Sequence, residues 1–142
     1  AWKNHADHSA MLDWLMRVKD WATCPLTESG FIRVSMTVAY RASFEDARKS
    51  LATLRGRSGH RFITDDVDAA SLPSLVSHKD TTDAHLVTLA KRNRLKLATL
   101  DTALVAQPWA ASIAANPLAL RTEPWFFSAS EDSPPTTEQR SQ

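Results

Sequence analysis

Residues 81–101 read TTDAHLVTLAKRNRLKLATLD, and this stretch carries the clearest structural signal in the chain. Its first half predicts an amphipathic helix, because apolar residues recur there at helical spacing. The residues on that apolar face are Leu86, Leu89 and Ala90. Asp83 falls in the first turn, where unpaired backbone N–H groups and the helix dipole favour a negative charge. The predicted helix therefore begins beside a carboxylate whose charged form is stabilised by its position.

The second half of the stretch predicts a buried strand that ends at an acidic residue. Residues 96–100 are largely apolar, which is typical of a parallel strand covered on both faces, and Asp101 follows directly. Ligands of open α/β sheets bind beyond the carboxyl ends of the strands. Hard divalent cations prefer carboxylate oxygens, so Asp83 and Asp101 are candidate residues of a metal site.

A similar unit lies upstream, where residues 22–34 read ATCPLTESGFIRV. The start of this segment predicts a short strand that ends at Pro25, and Thr27 can cap a helix that follows. Such a cap places Glu28 in the first turn of that helix. Glu28 is therefore a third acidic residue at the end of a predicted element.

These segments resemble the PIN domain, and most closely the VapC-type toxin ribonucleases of bacterial toxin-antitoxin pairs. In that family a D-A-x-x-x-x-x-A helix is followed by a strand that ends in T-x-D. The matching residues here are Asp83, Ala84, Ala90, Thr99 and Asp101. Glu28 corresponds to the family's conserved glutamate, and the resemblance covers residues 5–118. The acids thus occur in the order that the family has.

The resemblance implies a fold, an activity and partners. The implied fold is a three-layer α/β/α PIN-like domain over residues 1–121, with a central parallel sheet but without the usual first strand. The implied activity is that of a Mg²⁺-dependent endoribonuclease, with Mn²⁺ as the alternative ion. Glu28, Asp83 and Asp101 would be metal ligands, and Thr99 would orient the site by hydrogen bonding. The implied partners are an RNA substrate, a second copy in a homodimer, and a cognate antitoxin whose segment enters the active-site groove.

One departure from the family concerns the start of the domain. The family begins with a hydrophobic strand that ends in an aspartate, which is a central metal ligand, whereas this chain opens with AWKNH at residues 1–5. Asp7 and Asp13 do not replace that aspartate, because both fall in or beside the next predicted helix. We therefore expect the native first strand to be absent from this sequence, and metal binding by the chain as given to be weak or absent.

The composition of the chain limits the class of protein to which it can belong. With 142 residues, of which 43% are hydrophobic and 23% charged, the chain is expected to form one soluble domain. No apolar run approaches the roughly 20 residues needed to span a bilayer, and no signal-peptide pattern is present, so we expect a cytoplasmic protein without membrane contact. The single cysteine, Cys24, is expected to be a packing residue, and three glycines exclude a glycine-rich phosphate loop.

Net charge is only +1, but basic residues are concentrated between positions 33 and 61. Seven Lys or Arg residues are opposed there by two acidic residues, which gives a local excess of five. Such a patch can bind RNA phosphates. The candidate contacts are Arg33, Arg41, Arg48 and Lys49. An equally simple interpretation is a basic helix face in contact with solvent.

The rest of the pattern alternates strands with helices, which predicts a parallel sheet with helices on both faces. Further helices are expected at residues 7–18, 44–54, 72–76 and 109–115, and further strands at 60–64 and 118–121. Ser43 is the expected N-cap of the helix at 44–54, whose inward face would contain Phe44, Ala47, Leu51 and Leu54. An acidic cluster follows the strand at 60–64, and a helix N-cap at Asp65 or Asp66, with the other acids in solvent, explains it more simply than cation binding does. Its members are Asp65, Asp66 and Asp68.

Beyond residue 121 the character of the chain changes. Residues 122–142 are predicted to be a disordered tail, because the segment 128–137 is polar, contains prolines and lacks periodicity. The apolar triplet Trp125-Phe126-Phe127 stands just before that segment. It either packs back on the domain, which is the simpler interpretation, or makes a dimer or partner contact.

Two other functional classes fit less of the sequence. A catalytically incomplete PIN-like module would hold RNA or the antitoxin without cleavage, and the absent first strand favours this class. A phosphorylated receiver domain would need an acidic pair after a first strand and a suitably placed lysine, neither of which is present. The acids at 28, 83 and 101 therefore favour the metal-dependent ribonuclease.

Overall fold

The computed structural model describes residues 10, 13–38, 40–118 and 125–127. The described part of the first helix, α1, consists of residues 10 and 13–17. The helices that follow are α2 (Pro25–Ser35), α3 (Phe44–Arg55), α4 (Thr81–Arg92) and α5 (Thr102–Val105), with short 3₁₀ helices at Ala69–Ser71 and His78–Asp80. The strands are β1 (Trp21–Thr23), β2 (His60–Phe62), β3 (Lys96–Ala98), β4 (Ala114–Ala115) and β5 (Trp125–Phe127).

The five strands form one parallel sheet in the order β2-β1-β5-β3-β4. The strand that comes last in the described chain, β5, lies at the centre of this sheet. Trp125 is in register with Trp21 of β1 on one side and with Lys96 of β3 on the other. The backbone of β5 therefore joins the two halves of the sheet.

Side chains of neighbouring strand positions point to opposite faces, and each face has its own core. On one face Ala22, Phe126 and Leu97 are aligned across three strands, and they pack with α4 and α5. On the other face Trp21 and Trp125 are aligned, and α1, α2 and α3 contribute to that core. Helices thus cover both faces, which confirms the prediction of a three-layer α/β/α fold with a central parallel sheet.

The long helices form where local signals predicted them. The Ser43 side chain accepts a hydrogen bond from the Asp46 N–H over 3.0 Å, so it caps α3 as expected. Ala47 on this helix is buried, but the expected inward position of Phe44 is wrong, since its side chain is 54% exposed. Phe44 is the first residue of the helix, and its side chain extends beyond the core that α3 covers.

Two predicted helices are absent, and tertiary pairing or proline explains the difference. Residues 72–76 are not helical. Leu72, just before Pro73, has the extended backbone that proline favours in the preceding residue. Residues 109–115 form turns and then β4, because the Leu97 and Thr99 N–H groups donate to carbonyl groups of this segment. That edge pairing overrides the helical preference of an alanine-rich sequence.

The apolar triplet belongs to the sheet. Residues 125–127 form β5 although they fall inside the segment that was predicted to be a tail, and the prediction that the triplet packs on the domain is confirmed for Trp125 and Phe126. Leu118 lies in a turn, while the rest of the predicted strand at 118–121 and the remainder of the predicted tail fall outside the described residues. Within the described part of the chain, no helix combines the length and the apolarity needed to cross a membrane.

Candidate active site

The three predicted acidic residues lie at the same edge of the sheet. Glu28 is in the first turn of α2, which follows the carboxyl end of β1, and Asp101 follows the carboxyl end of β3. Asp83 lies in the first turn of α4, whose opposite end leads directly into β3. Because strand and helix run in opposite directions across the sheet, the start of α4 is at the carboxyl edge as well.

Glu28 and the start of its helix make hydrogen bonds that the sequence did not predict. Helix α2 begins at Pro25, so Thr27 lies inside the first turn instead of capping it, and its hydroxyl accepts a hydrogen bond from the Cys24 N–H over 2.9 Å. Proline is favoured at this position because the missing N–H would have no partner there. The Glu28 side chain is buried against β1, where its Oε2 accepts a 2.6 Å hydrogen bond from the Thr23 hydroxyl.

Two further side chains complete the surroundings of this carboxylate. Arg55, at the end of α3, places its Nε 3.5 Å from Glu28 Oε2. The His60 Nε2 lies 2.8 Å from the Thr23 hydroxyl oxygen. Burial lowers the pKa of His60 most strongly, the Arg55 charge lowers it further, and the Glu28 charge opposes them. The carboxylate thus lies at one end of a chain of polar contacts that crosses β1 and β2.

Sequence reasoning missed Thr23, His60 and Arg55 as neighbours of Glu28. A weak signal was present, because Thr23 is a polar residue in an otherwise apolar strand, and a buried polar group needs a partner. The identity of that partner depends on the adjacency of β1 and β2, which are 37 residues apart at this contact. Local patterns therefore indicated the need for a partner but not which residue meets it.

Asp101 combines a position at the strand end with a structural role. Its side chain accepts a hydrogen bond from the Leu104 N–H over 3.0 Å and so caps α5. The Asp101 N–H in turn donates to the hydroxyl of buried Thr99 over 3.0 Å. Thr99 is itself fixed by a backbone hydrogen bond to Ala115 in β4. The Asp101 carboxylate is therefore held in one orientation, and the contact with Thr99 fixes the backbone of Asp101.

The three acids share an edge but do not converge on one point. Among the residues that the structure describes, no three His, Cys, Asp or Glu side chains lie close enough together to hold a metal ion. In this topology β5 lies between β1 and β3, so the strand ends that lead to Glu28 and Asp101 are about 9 to 10 Å apart. Divalent ions need oxygen ligands at about 2.0 to 2.6 Å. The oxygen chemistry of the three carboxylates suits a hard ion, and the assignments of Glu28, Asp83, Asp101 and Thr99 remain predictions.

Each carboxylate of the acidic cluster after β2 has a contact of its own within the protein. Asp68 caps the 3₁₀ helix through the Ala70 N–H over 2.9 Å, so capping occurs in this cluster but the predicted cap at Asp65 or Asp66 is wrong. Asp65 accepts from the Val67 N–H, and its other oxygen lies 2.6 Å from His85 Nε2. The remaining member, Asp66, forms an ion pair with Arg92, whose NH1 is 3.1 Å from Asp66 Oδ1. The three carboxylates therefore have separate partners.

Part of the basic patch is engaged within the protein. Arg48 forms an ion pair with Glu45 one turn before it on α3. The Arg41 Nε donates to a backbone carbonyl, and Arg41 has a positive φ of 54°. Arg33, Arg41, Arg48 and Lys49 are all exposed. Their side chains are accessible to a large ligand, and their contact with RNA remains a prediction.

The comparisons with known proteins identify relatives. The chain is 43% identical over 108 residues to Ribonuclease VapC38 of Mycobacterium tuberculosis, which covers 71% of this chain and 77% of that protein. It is 35% identical over 115 residues to Ribonuclease VapC39 of the same organism, with 72% and 81% covered. It is 34% identical over 103 residues to Ribonuclease VapC29, also from that organism, with 70% and 76% covered.

Other comparisons add no further assignment. No family model matches the chain, and no solved structure matches it either. The relatives nevertheless are identical to this chain at more than a third of the aligned positions, and the alignments cover most of their own length. The chain belongs to the VapC family of PIN-domain ribonucleases.

Proposed function

We propose that this protein is a Mg²⁺-dependent endoribonuclease toxin that hydrolyses RNA phosphodiester bonds. The observation that carries the proposal is the placement of Glu28, Asp83 and Asp101 at the carboxyl edge of the sheet, in a chain whose relatives are named ribonucleases. Mg²⁺ or Mn²⁺ would lower the pKa of an attacking water and offset charge on the phosphate. No nucleophilic side chain is then needed.

The side chains of this protein would bind and orient the reacting groups. Glu28, Asp83 and Asp101 would provide the oxygen ligands, and Thr99 would hold Asp101 through the contact with its backbone N–H. The exposed residues Arg33, Arg41, Arg48 and Lys49 would bind RNA phosphates.

The partners also belong to the proposal. It includes a cognate antitoxin that neutralises the toxin, in line with the VapC names of the relatives, together with a homodimeric assembly and a cytoplasmic location. An antitoxin that occupies the carboxyl edge of the sheet would block access to all three acids at once.

A second candidate is a PIN-like module that binds RNA or the antitoxin without cleavage. The observation that favours it is the lack of a metal-binding group of three side chains among the described residues. In this second function the acids would be held by protein cations, as Glu28 is approached by Arg55.

A cleavage assay with matched variants tests both candidates. Labelled RNA is incubated with the full-length protein at increasing Mg²⁺, and the same assay is run with Asp83→Asn and Asp101→Asn in that protein. Asparagine can cap a helix as aspartate does, so Asp101→Asn removes the charge but keeps the cap of α5. The control is Asp66→Asn, which removes an exposed carboxylate away from the candidate site.

The expected result is Mg²⁺-dependent cleavage by the protein and by Asp66→Asn, and loss of cleavage in both other variants. Full activity in Asp83→Asn or Asp101→Asn would reject the proposed site. RNA binding without cleavage by the unmodified protein at any Mg²⁺ or Mn²⁺ concentration would favour the binding module.

A further inference from the structure

Three polar side chains from three elements form a continuous chain of contacts that ends at Glu28. His60 lies on β2, Thr23 on β1 and Glu28 on α2. The His60 Nε2 is 2.8 Å from the Thr23 hydroxyl oxygen, and that oxygen is 2.6 Å from Glu28 Oε2. Both distances are within the range of hydrogen bonds, so the hydroxyl takes part in two of them.

The chemistry of these groups sets the direction of both hydrogen bonds. A hydroxyl has one proton to donate, whereas a glutamate carboxylate at neutral pH only accepts. The Thr23 hydroxyl therefore donates to Glu28 and must accept from His60. His60 can donate from this nitrogen only when Nε2 carries a proton, so the contact requires the Nε2–H form of the ring.

We propose that His60 is a positioning residue for Glu28, and that it acts by fixing the hydroxyl of Thr23. The proposal rests on the proposed function, in which Glu28 belongs to the active site. A hydroxyl whose lone pair accepts from His60 has its O–H directed toward the carboxylate, so Glu28 keeps one orientation at the carboxyl edge. Loss of the His60 donor would let the Thr23 hydroxyl rotate, and the carboxylate would lose its fixed acceptor geometry.

The backbone and the neighbouring rings hold His60 in place for this role. His60 is in register with Trp21 on the adjacent strand, and the two rings meet edge to face with centroids 4.7 Å apart. The Gly59 carbonyl accepts from the Trp21 N–H, with an N–O distance of 3.2 Å. His60 is partly buried, so few other orientations of the ring are open to it. A ring held in this way is suited to hold a second side chain.

A spectroscopic measurement tests the hydrogen-bond chain without reference to catalysis. The full protein is labelled with ¹⁵N-histidine, and long-range ¹H–¹⁵N spectra at neutral pH report which ring nitrogen carries the proton. We expect the Nε2–H form for His60. Thr23→Val keeps the shape of the side chain but removes the hydroxyl, so it should shift the His60 nitrogen signals, whereas Thr23→Ser should leave them near their original positions.

His85 is the internal control for these spectra, because its Nε2 contacts Asp65 and not Thr23. Its signals should be unchanged in both variants. A His60 ring protonated on Nδ1 alone, or a His60 signal that does not respond to Thr23→Val, would overturn the proposal.

Kinetics then separate positioning from simple packing. His60→Gln retains an N–H donor near the position of Nε2, whereas His60→Leu fills the site without a donor. Removal of a supporting hydrogen bond of this kind typically costs about 10- to 100-fold in activity, so we expect kcat to fall by that factor in His60→Leu with little change in KM. His60→Gln should recover most of the loss. Circular dichroism and urea unfolding check that both variants are folded.

Comparison with Glu28→Gln distinguishes failure of this proposal from failure of the proposed function. An inactive Glu28→Gln together with a fully active His60→Leu would overturn only the role of His60. Equal activity losses in His60→Leu and His60→Gln would assign His60 to packing and also overturn it. A Glu28→Gln variant with the original rate would place Glu28 outside the active site, and both proposals would then be wrong.

Discussion

The indole rings of Trp14 and Trp125 meet edge to face, with centroids 5.9 Å apart and planes at 87° to each other. Trp14 lies on α1 near the start of the described chain, and Trp125 lies on the central strand at its end. Both side chains are buried. Aromatic pairs in this geometry contribute about 0.5 to 1.5 kcal/mol beyond the area that they bury. The contact therefore stabilises the packing of α1 against β5, the strand that joins the two halves of the sheet.

Truncation of a core residue in β5 should strongly destabilise the protein. Phe126 is fully buried between α4 and the sheet, so we expect Phe126→Ala to lower the free energy of unfolding by about 3 to 5 kcal/mol in urea titrations. Phe44→Ala is the matched control, because Phe44 is 54% exposed and should change stability by roughly 0.5 kcal/mol or less. Equal effects of the two substitutions would show that β5 does not occupy the centre of the sheet.

Substitution by alanine should have opposite effects on stability at Gly59 and at Gly56. A Cβ at Gly59 would lie 1.8 Å from the Lys19 carbonyl oxygen, and Gly59 has a φ of +85°, so Gly59→Ala should cost at least about 1 to 3 kcal/mol in stability. At Gly56 the nearest atom to such a Cβ is 3.5 Å away, and φ is −77°. Gly56→Ala should therefore leave stability unchanged or raise it by about 0.4 to 1 kcal/mol. Thermal unfolding of the two variants side by side measures the contrast.

The stability of the protein should depend on pH through His60. Burial lowers the pKa of His60 below its ordinary value of about 6.5, so between these two values the unfolded chain binds more protons than the folded protein does. Stability from this residue is therefore fully present above the ordinary value and is lost as pH falls toward the lowered one. The urea midpoint of the protein should drop more between pH 7.5 and pH 5 than that of His60→Gln. Identical drops would show that protonation of His60 is not linked to unfolding.

Charge and capping at Asp101 can be separated by two substitutions. Asp101→Ala removes the acceptor of the Leu104 N–H and should lower the free energy of unfolding by about 1 kcal/mol. Asp101→Asn keeps an acceptor at this position and should retain most of the stability. Both variants remove the negative charge, so both should lose RNA cleavage. Denaturant unfolding and the cleavage assay, run on the same samples, report the two effects independently. Activity that follows stability and not charge would contradict the proposed role of Asp101.

Binding of RNA by the basic residues predicts a change in salt dependence. Replacement of Arg48 and Lys49 together should weaken RNA binding and flatten the plot of log affinity against log salt by up to about 0.7 to 0.9 per lost phosphate contact. Arg48 is paired with Glu45, so Glu45→Gln should release its guanidinium and steepen the same plot. Filter binding over a range of salt concentrations measures both slopes. Unchanged slopes in both variants would exclude this surface from RNA binding.

Local sequence patterns were sufficient for the long helices and for the position of the acids. The helical spacing of the apolar residues in α4 and the Ser43 cap of α3 depend on residues within a few positions of one another. Both features are present in the structure. Asp101 was placed at a strand end because the strand itself is apolar. Such features depend little on the rest of the fold.

Features that depend on distant pairing were not predictable from local pattern. Residues 109–115 look helical by themselves, and only pairing with β3 makes Ala114–Ala115 a strand. The triplet at 125–127 is clearly apolar, but no local pattern indicates that it forms a strand between β1 and β3. The contact between Thr23 and His60 likewise requires β1 and β2 to be neighbours.

The central position of β5 also constrains how the protein folds during synthesis. Trp21 and Trp125 are paired across β1 and β5 although their residue numbers differ by 104. Pairs so distant in sequence form slowly, since a long loop must close first. Until the segment at 125–127 leaves the ribosome, β1 and β3 each keep an unpaired apolar edge, and such edges promote aggregation. Newly made chains therefore depend on the last described strand to close the surface that would otherwise recruit other chains.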